Sequence, residues 1–206
     1  MSASGAAPGG IDVAIIDSGG ANLASLQFAL DRLGARALVS ADADTISAAP
    51  RVLLPGVGAA ADAMRRLHAT GLDRLIPKLR VPLLGICLGM QLLFEHSSEG
   101  DTACLGILRG RVERLTPARG MPVPHMGWNT LEAIDDHPLL RGIETSHYLY
   151  FVHSYAAPVA DSTLAAVRYG RPLAAVVRRD NFHGVQFHPE RSAGVGAQIL
   201  RNFLAL

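Results

Sequence analysis

Along the first half of the chain, short continuous runs of apolar residues alternate with segments whose apolar residues recur every three or four positions. A continuous apolar run is typical of a strand buried on both faces, whereas the wider spacing is typical of one helix face. Their alternation predicts a parallel sheet with helices on both faces. The predicted strands are Ile11 to Asp17, Ala35 to Val39, Arg51 to Leu54 and Val81 to Ile86, and the predicted helices are Leu23 to Leu33, Ala59 to His68 and Gly71 to Leu79.

After Gly100 the helical spacing fades, and short β-type runs follow one another, separated by glycine and proline. We expect these runs to extend the same sheet in mixed or antiparallel pairing, with a last helix from about Gly194 to Leu204. The fold class predicted is therefore α/β, a single domain with a central, mostly parallel or mixed sheet. The runs are Leu105 to Leu108, Arg111 to Leu115, Trp128 to Ile134, His147 to Val152, Leu164 to Tyr169, Leu173 to Val177 and Gly184 to Phe187.

The composition agrees with one folded domain and excludes several classes of partner. Of the 206 residues, 49% are hydrophobic and 18% are charged, and the formal net charge is +1. This charge provides no long-range attraction for nucleic acid or a membrane surface, so neither is expected as a partner. The two cysteines predict no disulfide framework and favour a cytoplasmic location. Residues 1–10 are expected to be a disordered tail and residues 11–206 the domain.

Cys87 lies where a predicted strand meets a predicted helix. Val81 to Ile86 is the strand, and helical spacing follows at Leu88, Gln91, Leu92 and Glu95. Glycines on both sides of Cys87 allow a sharp turn that presents the side chain at the strand end. The positive end of the following helix would favour a thiolate. The pattern predicts a nucleophile elbow, and the alternative is a buried structural cysteine.

The sequence His188-Pro189-Glu190 provides a base and a group to orient it. Pro189 favours extended backbone at His188, so the side chains of His188 and Glu190 should face the same way. A carboxylate beside the imidazole favours the protonated ring. A cysteine nucleophile needs such a base, which predicts a Cys87, His188, Glu190 triad. The alternative for this stretch alone is a capped loop at a strand end.

Acyl transfer also needs hydrogen-bond donors for the oxyanion. The stretch Pro55-Gly-Val-Gly58 follows a predicted strand, and its glycines can turn peptide N–H groups into the site. The N–H of Leu88 is the expected second donor. An ordinary strand-to-helix turn is the alternative for this stretch, which lacks the lysine of a phosphate loop. No metal-type cluster of Cys and His occurs in the sequence, and no metal or cofactor is expected.

The stretch Gly85-Ile-Cys-Leu-Gly89, together with Gln91 and His188-Pro-Glu190, resembles the class I, triad-type glutamine amidotransferases. The resemblance implies a flavodoxin-like fold and hydrolysis of L-glutamine through a cysteinyl thioester, which releases ammonia. One departure lies at Ser97-Ser-Glu-Gly100, where the family more often has consecutive acids, so the resemblance supports a contact from Glu99 and leaves one from Ser98 open. The implied residues are Cys87, His188 and Glu190 for catalysis, Val57, Gly58 and Leu88 for the oxyanion hole, and Gly56, Gln91, Glu99, Ser154 and Tyr155 for glutamine.

Two further stretches, Pro124-His-Met-Gly-Trp-Asn129 and Tyr150-Phe-Val-His-Ser-Tyr155, resemble one branch of that family. In this branch the glutaminase is a subunit that passes ammonia to a (β/α)₈-barrel cyclase of histidine biosynthesis. The resemblance implies a heterodimer with such a cyclase, docked on the face that carries Trp128. Taken alone, Trp128 could equally fill the core of its own chain, and the role of His153 is open.

Other functions remain open from the motifs. A different triad glutaminase would serve anthranilate, GMP or pyridoxal phosphate synthesis. A stand-alone γ-glutamyl hydrolase or cysteine peptidase would share the elbow and need no partner. A non-enzymatic scaffold would keep the fold without activity, although Cys87, His188 and Glu190 are all present. The glycines beside Val57 also allow its peptide to flip, so a partner could switch the oxyanion strand.

Overall fold

The computed structural model describes residues 10–17, 23–132 and 134–206. Most of the expected tail, residues 1–9, lies outside these ranges. The strands are β1 (Val13–Ile16), β2 (Ala37–Ser40), β3 (Val52–Gly56), β4 (Leu83–Cys87), β5 (Phe94–Ser97), β6 (Thr102–Ala103), β7 (Leu108–Arg114), β8 (His125–Glu132), β9 (Tyr148–His153), β10 (Tyr155–Ala156), β11 (Thr163–Tyr169), β12 (Arg171–Arg179) and β13 (Phe182–Val185). The α-helices are α1 (Leu23–Asp31), α2 (Ala43–Ala48), α3 (Ala60–Thr70), α4 (Leu72–Leu75), α5 (Leu88–Gln91) and α6 (Ala193–Leu204), and short 3₁₀ helices cover Ile76–Lys78, Pro138–Leu140 and Pro189–Arg191.

A nine-stranded mixed sheet, in the order β2-β1-β3-β4-β13-β12-β11-β8-β9, organises the fold. The five strands from β2 to β13 are parallel to their neighbours. From β13 to β9 each pair is antiparallel. The predicted α/β class with a mixed sheet is therefore confirmed.

Helices cover both faces of this sheet because successive side chains of a strand point to opposite sides. In β3, Leu53 packs into one apolar cluster, whereas Val52 and Leu54 pack into the other. Helices α1 and α6 contribute to the first cluster, and α3 and α4 contribute to the second. Strands buried on both faces explain why these runs read as continuously apolar in the sequence.

Two expectations about local structure are wrong. The runs Leu105 to Leu108 and Arg111 to Leu115 do not extend the main sheet, because residues 105–107 form no strand and β7, which begins at Leu108, belongs to a separate four-stranded sheet, β10-β7-β5-β6. The helix after Cys87 does not reach Glu95, since α5 ends at Gln91 and β5 begins at Phe94. Residues 88–94 are all buried, so this segment has no polar face to place towards solvent. The apolar residues of this segment recur at helical spacing because the whole segment is buried, and the spacing does not indicate a longer helix.

No helix within the described ranges has both the length and the apolar character needed to cross a membrane.

Candidate active site

The candidate site lies at the carboxyl end of the parallel strands. Cys87 ends β4 and is paired in register with Gly56, the last residue of β3. On the other side, β13 pairs Val185 with Ile86, and the chain continues directly to His188. Loops at this edge of a parallel sheet form a crevice in many α/β proteins. Here they enclose a cavity of about 400 Å³.

The backbone at Cys87 has φ 54° and ψ −111°, in a region that residues with a side chain rarely adopt. Such strain persists only where the surroundings hold it, and the neighbouring glycines make that possible. A Cβ on Gly89 would lie 1.7 Å from the carbonyl oxygen of Leu54. A Cβ on Gly85 would lie 2.6 Å from the carbonyl oxygen of Gly89. The predicted elbow is therefore present, with its first helical turn pressed against two strands.

The sulfur of Cys87 lies among three polar groups. Its thiol contacts the carbonyl oxygen of Val152 at 3.7 Å, and Nε2 of Gln186 lies 3.8 Å from the sulfur. The third group is the imidazole of His188, which is hydrogen-bonded to the Cys87 side chain. Helix α5 is only one turn long, so its dipole provides less support to a thiolate than the sequence suggested.

His188 is held between Cys87 and Glu190. Its Nδ1 lies 2.8 Å from Oε1 of Glu190, and only 9% and 8% of the two side chains are exposed. Burial alone would lower the pKa of His188, but hydrogen bonds to Cys87 and Glu190, with the negative charge of both, raise that pKa to about 10. The imidazole is therefore a cation at neutral pH.

The backbone brings His188 and Glu190 together differently from the prediction. His188 is extended as expected, but Glu190 lies in the 3₁₀ turn Pro189–Arg191, so the two do not share one extended strand. Ser192 stabilises this turn, because its hydroxyl donates to the carbonyl oxygen of His188 at 2.7 Å and accepts the N–H of Tyr150 at 2.9 Å. The side chains meet through the turn.

The residues proposed for the oxyanion hole surround the same cavity as Cys87. Gly56 ends β3, and Val57 and Gly58 follow it along the cavity wall. Gly58 has φ +88°, a left-handed conformation that favours glycine. Leu88 begins α5 directly after the cysteine and also lines the cavity. The structure thus brings all of these residues to the cavity that Cys87 lines.

The residues expected to bind glutamine also line this cavity. Their hydrogen bonds within the protein limit which of their polar groups remain free to bind a ligand. Nε2 of Gln91 donates to the carbonyl oxygen of Tyr155 at 2.7 Å. That same oxygen accepts from Nδ1 of His153 at 2.9 Å, so it is occupied within the protein. Oε2 of Glu99 accepts the N–H of Ala60 at the start of α3, at 2.8 Å. Ser154 completes this wall.

Sequence reasoning missed Gln186, which is fully buried beside the sulfur. The sequence does indicate a buried polar side chain here, because Gln186 is the one polar residue in the apolar run that precedes His188. A second missed feature is a hydrogen bond of 3.0 Å between the buried histidines His125 and His153. Burial lowers the pKa of each to about 4, so this pair is neutral at physiological pH.

Cys104 differs from Cys87 in its surroundings. It is half-buried against the second apolar cluster, and desolvation raises the pKa of its thiol to about 11. A thiol with so high a pKa is a weak nucleophile at neutral pH. Over the described ranges, no group of three or more His, Cys, Asp or Glu side chains is arranged to hold a metal ion.

A surface patch of large apolar side chains, formed by Met126, Trp128 and Tyr148, lies on β8 and β9. Their exposed fractions are 64%, 53% and 60%. The alternative that Trp128 fills the core of its own chain is therefore wrong. The cavity is lined by Pro124, just before β8, and by His153 at the end of β9. The patch and the cavity are thus carried by the same pair of strands.

A cysteine on a strained strand-to-helix turn, with a His and a Glu held just after the neighbouring strand, is the arrangement of a triad-type amidotransferase site. The chain belongs to the glutamine amidotransferase class-I family, whose model matches residues 14–206. It is 57% identical over 195 residues to imidazole glycerol phosphate synthase subunit HisH of Xanthomonas campestris pv. campestris, which covers 95% of this chain and 98% of that protein. A HisH subunit of Xylella fastidiosa is 54% identical over the same shares of both chains.

Solved structures agree with this fold. A crystal structure of a glutamine amidotransferase superposes with a TM-score of 0.72 at 22% identity, covering 94% of this chain and 97% of that chain. PurLQS from Thermotoga maritima gives a TM-score of 0.68 at 20% identity, covering 94% and 97%. At these identities the likeness shows the fold alone.

Proposed function

We propose that this chain is the glutaminase subunit of imidazole glycerol phosphate synthase, with Cys87 as nucleophile, His188 as acid and base, and Glu190 as the group that orients it. The observation that carries the assignment of residues is the hydrogen-bonded row of these three side chains beside one cavity. The identity to HisH subunits over nearly the whole chain supports the choice of this synthase over other triad glutaminases.

In the first half of the reaction, the thiolate of Cys87 attacks the side-chain carboxamide carbon of glutamine. A carbon–sulfur bond forms, and the carbonyl oxygen becomes an oxyanion that the backbone at Val57, Gly58 and Leu88 would stabilise. His188 then gives its proton to the leaving nitrogen. The carbon–nitrogen bond breaks, ammonia departs, and a thioester to Cys87 remains.

In the second half, water attacks the thioester, and His188 takes one of its protons. The carbon–sulfur bond breaks, glutamate leaves, and the thiolate–imidazolium pair is restored. Glu190 keeps its hydrogen bond to Nδ1 throughout, which leaves the other ring nitrogen facing the reacting atoms. No cofactor is needed for either half, because protons and electron pairs balance within the triad, glutamine and water.

Glutamine would bind with its amino-acid end towards the wall formed by Gln91, Glu99 and the backbone near Ser154 and Tyr155. The carboxylate of Glu99 and the amide oxygen of Gln91 are acceptors, which suits the α-ammonium group. Gly56 and the adjacent peptides would bound the carboxamide end. A cavity of about 400 Å³ is in the range usual for a small-molecule site.

The patch of Met126, Trp128 and Tyr148 is proposed as the docking face for the (β/α)₈-barrel cyclase. Exposed aromatic and methionine side chains are enriched at protein interfaces. Because the same strands border the cavity, ammonia would enter the cyclase without crossing bulk water, where it would be protonated. The cyclase would use it to form imidazole glycerol phosphate and an aminoimidazole carboxamide ribotide in the cytoplasm, and the proposed glutaminase domain is residues 11–206.

Replacing Cys87 by alanine tests this division of labour. Synthesis from glutamine in the complex with the cyclase should be abolished, whereas synthesis from an added ammonium salt should persist, because the cyclase then needs no nucleophile. A glutamine-like electrophile should label Cys87 in the wild type and spare Cys104. Loss of both syntheses, or equal labelling of the two cysteines, would refute the assignment. Glutamine turnover that is unaffected by the cyclase would favour a stand-alone hydrolase.

A further inference from the structure

Gln186 is a buried polar side chain of the site that the proposed mechanism leaves without a role. It directly follows β13, and its main-chain N–H donates to the carbonyl oxygen of Ala175 at 2.8 Å. Its side chain is fully buried. Buried amides are hydrogen-bonded in folded proteins, since an unpaired amide away from water is costly. The partners of this amide therefore indicate its role.

A main-chain carbonyl determines how the side-chain amides of Gln91 and Gln186 are oriented. The carbonyl oxygen of Tyr155 can only accept, so the amide nitrogen of Gln91 must face it, at 2.7 Å. The second N–H of Gln91 then donates to Oε1 of Gln186 at 3.0 Å. With its oxygen towards Gln91, Gln186 turns its own nitrogen towards Cys87, and Nε2 lies 3.8 Å from the sulfur.

We propose that Gln186 is a positioning residue that holds the sulfur of Cys87 and the amide of Gln91 in one fixed arrangement. This inference rests on the proposed glutaminase function and deepens it. The N–H that faces Cys87 favours the thiolate, because a sulfur anion accepts a hydrogen bond more strongly than a thiol does. One end of the Gln186 amide therefore acts on the nucleophile.

The other end of the Gln186 amide acts on the substrate side of the cavity. Its oxygen occupies one N–H of Gln91, and Tyr155 occupies the other. Gln91 is left with its own oxygen to offer, which can accept from the α-ammonium group of glutamine but not from its carboxylate. The distance between the sulfur of Cys87 and the amide of Gln91 then depends on the amide of Gln186, which contacts both. That distance decides whether the carboxamide of a bound glutamine reaches the sulfur.

Gln186→Met tests both ends at once, because methionine has a similar length but neither donates an N–H nor offers an amide oxygen. Alkylation of Cys87 by iodoacetamide, followed by mass spectrometry of its peptide, should need a pH about one unit higher for half-maximal rate. In the complex with the cyclase, the KM for glutamine should rise about tenfold, because Gln91 is free to turn. Gln198→Met makes the same change on α6, away from the cavity, and should alter neither value.

Gln186→Glu separates the two ends and keeps a polar side chain if the methionine variant does not fold. It still presents an oxygen to Gln91, so the KM should stay close to that of the wild type. The alkylation profile should nevertheless move to higher pH, because a carboxylate beside the sulfur disfavours the thiolate. An unchanged alkylation profile in a folded Gln186 variant would overturn the inference, as would an equal rise in KM in both variants.

The wild-type protein distinguishes this inference from the proposed function. If the wild type in complex with the cyclase does not hydrolyse glutamine, the proposed function fails. If it does, while the Gln186 variants keep both the alkylation profile and the KM of the wild type, only the positioning role fails. The alkylation profile is measured without glutamine, so the two results are independent.

Discussion

Glu190→Gln removes one negative charge from beside His188 and keeps a side chain of the same shape. Its amide oxygen can still accept the Nδ1 hydrogen bond, which spans 2.8 Å, so the ring orientation should persist. A hydrogen bond between charged groups contributes about 1.5–3 kcal/mol and a neutral one about 1 kcal/mol, so the charge accounts for about 0.5–2 kcal/mol. At about 1.4 kcal/mol per pKa unit, the pKa of His188 should fall to about 9, from about 10 in the wild type.

The rate of glutamine hydrolysis against pH, measured in complex with the cyclase, checks this value. Hydrolysis needs the proton of His188, so the alkaline limb of the profile should move from about pH 10 in the wild type to about pH 9 in the variant. Glu132→Gln is the matched control, since it makes the same change in an exposed ion pair with Arg168. An unmoved alkaline limb in Glu190→Gln, or an equal movement in Glu132→Gln, would refute the reasoning.

The same pKa has a consequence for stability. Since the pKa of His188 is higher in the folded protein than in the unfolded chain, its proton stabilises the fold fully below about pH 6.5. That contribution is lost as the pH rises towards about 10. In Glu190→Gln the loss should be complete about one pH unit earlier, which urea unfolding across this range would measure.

Three further changes have expected outcomes. Trp128→Ala should weaken cyclase binding by about 2 kcal/mol in calorimetry, whereas Phe28→Ala, at an exposed aromatic of α1, should not. Gly89→Ala should lower the free energy of unfolding by about 4 kcal/mol, because its Cβ would strike the Leu54 carbonyl, whereas Gly194→Ala, with open space around it, should not lower it. Burial lowers the pKa of His183 to about 4, so the folded state resists a proton that the unfolded chain takes up below about pH 6.5. His183→Leu should therefore remove about 2 kcal/mol of the stability lost in urea unfolding between neutral pH and pH 4.5.

The parts of the site that the sequence predicted are those encoded by neighbouring residues. The elbow at Cys87 depends on glycines within two positions of it. A Cβ on either glycine would lie 2.6 Å or less from a backbone atom, so no other residue fits there. The pairing of His188 with Glu190 also lies within three residues. Local sterics of this kind leave a recognisable pattern, even though the turn at Glu190 differs from the extended chain that was expected.

What the sequence did not predict depends on contacts between distant segments. The amide of Gln186 meets Gln91, 95 positions away in the chain, and the ring of His125 meets His153, 28 positions away. Likewise, β7 joins a separate sheet because it pairs with β5 and β10, and its own residues do not specify that choice. Such contacts are set by how strands pair, which hydrophobic periodicity alone does not determine.

The support for the thiolate therefore comes from strand pairing more than from the helix. A full helix dipole contributes about 0.3–1 kcal/mol to a nearby charge, and α5 is a single turn, whereas a charge-assisted hydrogen bond from His188 contributes about 1.5–3 kcal/mol. His188 reaches the sulfur because β13 pairs with β4 in the register that places Val185 beside Ile86. A slip of one residue would turn the side chains after Val185 to the opposite face. In this register Gly184 lies beside Gly85, and a Cβ on Gly184 would lie 2.6 Å from Cγ of Met90, so the pairing that brings His188 to the sulfur requires a residue without a side chain at this position.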